Sequence, residues 1–305
     1  MVPVDWLWIP ITVWAAFAQT LRNAAQRHLV ANLGTLGATL VRFLYGLPFA
    51  ALWLLIVGVV GNFSVPAPTA AFAIWVTLGA VSQIIATALL LRVMTERNFT
   101  LGVAYSKSEI LQVAVFGFVF LGDAVSPVAL TAILSGTFGV LLLSPADKDR
   151  PIRGLLTGWT GRTALLGLAS GTGFALSAVG FRGAALALGD TPFPMAAAGT
   201  LVAAQLLQTL MLGGWLLVRH TGVVMRVLGA WRASLFAGFM GAAASAGWFT
   251  AMAIEPAAHV RTLGLIELLF SYAVSRRLFR ERLERRELAG IALLVLGLVI
   301  VVLGI

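Results

Sequence analysis

The stretch Phe99–Ser126, FTLGVAYSKSEILQVAVFGFVFLGDAVS, decides how this chain is read. It is apolar over a length that crosses a bilayer, yet Lys107 and Glu109 stand near its middle. A charge at bilayer centre is costly to insert, so such residues are rarely incidental. A second stretch, Thr262–Glu287, repeats the pattern. A step of 158 positions carries Glu109 onto Glu267, Asp123 onto Glu281, Leu130 onto Leu288, Ile133 onto Ile291 and Gly139 onto Gly297. Two related helices, each with a glutamate at mid-depth, predict a transport site between two halves of a membrane protein.

Composition agrees. Of 305 residues, 60% are hydrophobic and 11% charged, and the mean hydropathy is +0.96. A soluble domain carries roughly 25% charged residues. The expected fold is therefore an all-α polytopic membrane protein. Ten apolar segments of about 18–27 residues can each cross a hydrocarbon core of about 30 Å. They run roughly Trp6–Asn23, Gly34–Val60, Thr69–Val93, Phe99–Leu121, Pro127–Ser144, Thr163–Leu188, Pro192–Val218, Trp231–Ile254, Ala258–Phe279 and Leu288–Ile305. The longest polar interval separates the fifth from the sixth. The expected organisation is a five-helix repeat over 1–145, a polar connecting loop over 146–162 and a second five-helix repeat over 163–305. An odd number of spans per half inverts one half relative to the other, the plan of many secondary transporters. Arg22-Asn-Ala-Ala25 and Arg182-Gly-Ala-Ala185 echo one another at a step of 160.

The net charge of +9 does not imply nucleic acid, because the positive residues gather at segment ends. Loops after the odd-numbered spans, with their helix ends, hold Arg22, Arg27, Arg92, Arg97, Lys148, Arg150 and the run from Arg276 to Arg286; loops after even-numbered spans hold none. By the positive-inside rule both termini are expected outside the cytoplasm of a bacterial inner (plasma) membrane. The N-terminus lacks a basic region and cleavage site, so the first segment is expected to remain in the mature protein. There are no cysteines, which removes disulfide, thiolate and Fe–S chemistry. His28, His220 and His259 have no partner at metal-ligand spacing, and there is no HExxH, GxSxG or Walker-type loop. Neither an enzyme nor an ATP-driven pump is expected, and no cofactor or metal. The expected partners are a small-molecule substrate and the lipid bilayer, with the chain a monomer or homodimer.

Helical geometry sorts the central charges. In a continuous helix Lys107 and Glu109 lie about 200° apart, so they are expected neither to pair nor to share a face. Glu109 shares a stripe with Tyr105, Gln112 and Phe116; in the ninth span Glu267 shares one with Gly264, Ser271 and Ser275. Desolvation at that depth penalises a charged carboxylate, which suits a group that binds and releases a proton during transport. Lys107 is expected either in a buried salt bridge, as with Glu267 across the halves, or against an anionic substrate group. Arg42, Arg182 and Arg261 are expected to snorkel or to make structural pairs before touching a ligand, with Arg42 also a candidate to compensate the glutamates or hold an anionic group. Trp14, Gln19, Asn23, Gln83 and Trp248 are candidates to complete a pocket. The small residues dense in spans six and eight, such as Gly173, Gly238, Gly241 and Gly247, are expected to let helix backbones approach closely.

Ala38-Thr-Leu-Val-Arg42-Phe-Leu-Tyr-Gly46 is similar to the arginine-bearing second helix of EamA-type members of the drug/metabolite transporter superfamily. Leu121-Gly-Asp-Ala-Val-Ser126 and Phe279-Arg-Glu-Arg-Leu-Glu284 resemble the short acidic turn that follows the fourth helix of each half in that family. Gly136-Thr-Phe-Gly139 and the segment Gly290–Gly297 resemble its glycine-spaced last helix. The resemblance covers nearly the whole chain. It implies export or exchange of small metabolites, without ATP, through a central cavity lined by spans one, three, four, six, eight and nine. Two features depart from the family. Lys107-Ser-Glu109 and Leu265-Ile-Glu267 stand where its members have a proline and small residues, and its members have cytoplasmic termini. Four inward cations against two glutamates favour a carboxylate-bearing, amino-acid-like substrate. Efflux of cationic drugs or amines, and a non-transporting assembly or lipid-handling role, remain as alternatives.

Overall fold

The computed structural model describes residues 6–96, 109–124 and 162–278, with isolated positions at 103, 106, 107, 127, 130, 131, 134, 135, 289, 292, 293 and 296. Among these residues every regular element is helical: α1 (Trp8–Leu44), α2 (Leu47–Gly61), α3 (Ala70–Glu96), α4 (Glu109–Leu121), α5 (Arg162–Leu186), α6 (Phe193–Gln208), α7 (Gly214–Arg219), α8 (Thr221–Gly229), α9 (Trp231–Ile254), α10 (Ala257–Leu263) and α11 (Glu267–Leu278). Six helical stretches are long and apolar enough to cross a membrane: Trp8–Gly61, Ala70–Glu96, Leu165–Leu186, Phe193–Arg219, Trp231–Ile254 and Ala257–Leu278. That set is compatible with a multi-pass membrane protein. Large apolar side chains such as Val60 and Phe118 point outward, at 82% and 65% exposure, as lipid-facing surfaces do.

The first stretch is a hairpin rather than one rod. Gln26 Nε2 donates to Ala38 O at 2.7 Å, although twelve residues of straight helix would separate them by about 18 Å. A Cβ added at Gly241 would lie 3.4 Å from Arg22 Cδ and 3.3 Å from Arg42 Cγ, so that pair converges too. Both pairs are centred on position 32, as an antiparallel turn requires. The reversal occurs at Gly34, whose φ of 71° and ψ of 171° are open to glycine and hardly to any other residue. Residues 24–33 are thus helix continuing to the turn, not the loop expected after Asn23. The next boundaries follow local chemistry. α2 ends on Asn62 in the left-handed region, and Thr69 caps α3 by accepting the Phe72 N–H at 3.0 Å.

The decisive stretch also differs from its expected form. Lys107 lies in a turn, and α4 begins at Glu109. The related span breaks at the corresponding place: α10 ends at Leu263, Gly264–Ile266 form a 3₁₀ turn, and α11 begins at Glu267. Both glutamates therefore open a helix, where the positive end of its dipole favours a carboxylate.

The two most extensive helix interfaces join α3 to α5 and α1 to α9. At the first, a Cβ on Gly180 would lie 2.9 Å from the Gly79 Cα. At the second, one on Gly247 would lie 2.8 Å from the Ala15 Cβ. Backbones meet where the small residues fall, as close helix packing in lipid requires. Most of the expected fifth and tenth spans, residues 146–161 of the expected loop and Glu281 lie outside the described residues, while Arg162, expected in that loop, opens α5.

Candidate functional site

The outward arm of α1 carries a polar stripe, Gln19, Arg22, Asn23 and Gln26, at helical spacing. Facing it is Glu267 at the start of α11. Glu267 Oε2 accepts hydrogen bonds from Gln19 Nε2 at 2.7 Å and Lys107 Nζ at 2.5 Å, and Oε1 accepts one from Asn23 Nδ2 at 3.0 Å. Both oxygens are engaged by fixed donors. The polar chain continues outward on either side. Asn23 Oδ1 accepts from Arg22 Nη2 at 2.7 Å, and Gln19 Oε1 accepts from Trp248 Nε1 at 2.8 Å.

Among the described residues, Glu109 has longer contacts. Lys107 Nζ and Arg261 Nη1 each stand 3.6 Å from its Oε1, within ion-pair range but beyond a hydrogen bond. The expectation that Lys107 and Glu109 cannot pair is therefore corrected. The turn at Lys107 ends the helical phase on which it rested and lets one ammonium bridge both carboxylates. Arg261 also lies over the Trp248 ring, 4.6 Å from its centroid, a cation–π contact that needs no counter-charge. Trp248 in turn presses on the helix break, since a Cβ at Gly264 would lie 2.6 Å from its ring.

Arg42 reaches the centre from the return arm. Its Nη1 donates to Thr87 Oγ1 at 3.0 Å and its Nη2 to Ser245 Oγ at 3.4 Å. Arg22, Arg42, Lys107, Arg261, Glu109 and Glu267 are all 5% exposed or less. Their formal charges leave two positive charges uncompensated among the described residues.

The structure thus gathers Glu109, Glu267, Lys107, Arg42, Gln19, Asn23 and Trp248. Gln112 follows Glu109 by one turn and is half-buried. Ser271 follows Glu267 by one turn and is fully buried. Two candidates fall elsewhere. Gln83 accepts from Gln208 Nε2 at 2.9 Å between α3 and α6, and Trp14, 48% exposed, lines an apolar outer cleft with Phe49, Trp53 and Phe239. Tyr105 lies outside the described residues. Sequence reasoning missed Arg22, which it counted only among the positive charges at the end of the first span, and the two hydroxyls on Arg42. The signal for Arg22 was present, because a Gln19–Asn23–Gln26 stripe has no reason to keep helical spacing through a loop.

Arg182 has a different task. Its Nε and Nη2 grip the Asp123 carboxylate, each at 2.9 Å, while Nη1 donates to Met252 O at 2.6 Å and Glu255 O at 2.9 Å. One guanidinium thereby ties α5 to the ends of α4 and α9. Glu255 also meets His259 Nδ1 at 2.5 Å. Among the described residues, no group of three or more His, Asp or Glu side chains gathers as a metal site would need.

No protein-family model matches the chain, and no curated protein does. Twenty-six chains of solved structures match its fold. One, described as "Crystal structure of protein", superposes with a TM-score of 0.66 at 14% identity, over 97% of this chain and 96% of its own. The likeness is one of fold.

Proposed function

We propose that the chain is a secondary carrier that moves a small carboxylate-bearing metabolite across the bacterial inner membrane by alternating access, driven by protons or by exchange. The observation that carries this reading is the buried ion cluster at two helix breaks. Broken helices whose ends aim at a charged site near mid-membrane are how secondary carriers hold ligands and coupling ions. An ionisable cluster buried at that depth, drawn from several helices, marks a pathway more often than a staple.

Support for ten spans in two inverted halves comes from the interfaces. Under the repeat, span one corresponds to six and span eight to three, so the α1–α9 and α3–α5 interfaces exchange into one another. Ser135 Oγ donates to Leu293 O at 3.3 Å, and these positions are separated by the repeat step of 158 itself. A contact between equivalent positions falls on the axis that relates the halves. This plan also fits the resemblance to EamA-type drug/metabolite transporters. Export of cationic amines fits less well, because a cation would enter a centre that already carries surplus positive charge.

The test is flux in proteoliposomes reconstituted with the purified protein, using labelled amino acids and small carboxylates as probes. Glu267→Gln and Glu109→Gln are each expected to cut exchange by about tenfold or more, since a neutral amide removes a charge the cycle depends on. Unchanged flux in both variants would defeat the carrier mechanism.

A further inference from the structure

The charge balance of the central cluster constrains the ligand more tightly than its carboxylate alone. Arg22 and Arg42 have no carboxylate within ion-pair distance among the described residues. Their hydrogen-bond acceptors are neutral: the Asn23 amide for Arg22, the Thr87 and Ser245 hydroxyls for Arg42. Three guanidinium N–H groups, Arg22 Nη1, Arg42 Nε and Arg261 Nε, are buried with no acceptor among the described residues. Arginine keeps its proton under any accessible condition, so burial cannot discharge it as it can a lysine. The stems of Arg22 and Arg42 converge on Gly241, and Arg22, Arg42 and Arg261 lie close enough to act on one another's charge. Such mutual repulsion in a dry interior is costly unless an anion joins it.

We propose that this cluster binds a small dianion, with one anionic group between Arg22 and Arg42 and the other toward Arg261. A dicarboxylate and a phosphate ester share this chemistry. Two negative charges neutralise the surplus, and their oxygens supply acceptors for the orphaned N–H groups. A zwitterion adds no net charge, and its ammonium would find both oxygens of Glu267 already engaged. The inference rests on the carrier reading only in that the cluster must open to one side to admit a ligand.

Titration of the full-length protein in detergent, followed by thermal stabilisation at constant ionic strength, tests the proposal with matched probes. Succinate and inorganic phosphate are compared with butyrate, chloride and glycine. Succinate or phosphate is expected to bind about tenfold more tightly than the singly charged or zwitterionic probes, and whichever leads identifies the anion class. Arg22→Gln and Arg42→Gln should each erase that preference, Arg42→Lys should retain part of it, and Arg219→Gln on the exposed end of α7 should leave it intact. Equal affinity for succinate and butyrate, or dianion binding that survives the Arg42→Lys and Arg42→Gln changes undiminished, overturns the inference. Glycine flux in proteoliposomes without dianion preference overturns it while sparing the carrier reading. Dianion binding without flux of any probe supports it while the carrier reading fails.

Discussion

Glu267 receives Lys107, Gln19 and Asn23 on its two oxygens, while among the described residues Glu109 meets Lys107 and Arg261 at 3.6 Å. The proposed repeat pairs the two carboxylates, but their surroundings differ. The step of 158 places Leu265 at the position corresponding to Lys107, so one lysine stands beside both glutamates. Glu267 is then the carboxylate fixed by three close donors, and Glu109 the one with the longer ion-pair contacts among the described residues. A buried ion pair contributes little over apolar residues, but a lone buried charge costs about 3–5 kcal/mol. Lys107→Met and Glu267→Gln are therefore each expected to destabilise the protein by about that range. The double variant should recover part of the loss, because the two closest charged partners are then removed together. Chemical unfolding in detergent reads this directly; losses that simply add would show that the two groups are not coupled.

The helices take their shape from interruptions as much as from their apolar faces. Gly34 turns α1 back on itself, and its φ of 71° with ψ of 171° leaves no room for a Cβ-bearing backbone, although nothing stands within 4 Å of where that Cβ would be. Gly34→Ala should therefore cost about 1–3 kcal/mol through backbone strain alone. Gly214→Ala, also with nothing within 4 Å but in helical backbone, should be neutral or gain up to about 1 kcal/mol. Equal effects in paired unfolding curves would contradict the hairpin. At this scale the sequence was partly legible. Hydropathy located the six long apolar stretches described, because burial in lipid is a property of windows, yet it could not see Gly34, since a single residue's dihedral angles do not change a window average. The broken helices before Glu109 and Glu267 were hidden for the same reason: Lys107-Ser-Glu and Leu265-Ile-Glu contain no proline or glycine pair to announce a break. Reading 99–121 as one helix put Lys107 on the wrong face.

Across the whole molecule, α3 with α5 and α1 with α9 form the two most extensive interfaces, and Arg182 binds Asp123 together with the end of α9. The ion cluster lies between these bodies, reached by side chains from α1, α9, α10, α11 and the turn before α4. The glutamates, Lys107 and the stripe on α1 could be read from charge in an apolar context. Their joining into one cluster could not, because it depends on how far α1 extends and where its return arm delivers Arg42. A carrier must expose this centre to each side in turn. The chain has no cysteine, so Ser245→Cys, beside Arg42, places a single thiol at the centre. Labelling it with a membrane-impermeant maleimide in right-side-out and inverted vesicles is the most direct measurement. The account predicts modification from both sides, slowed in both by succinate. Modification from one side only, or from neither while flux persists, would contradict it.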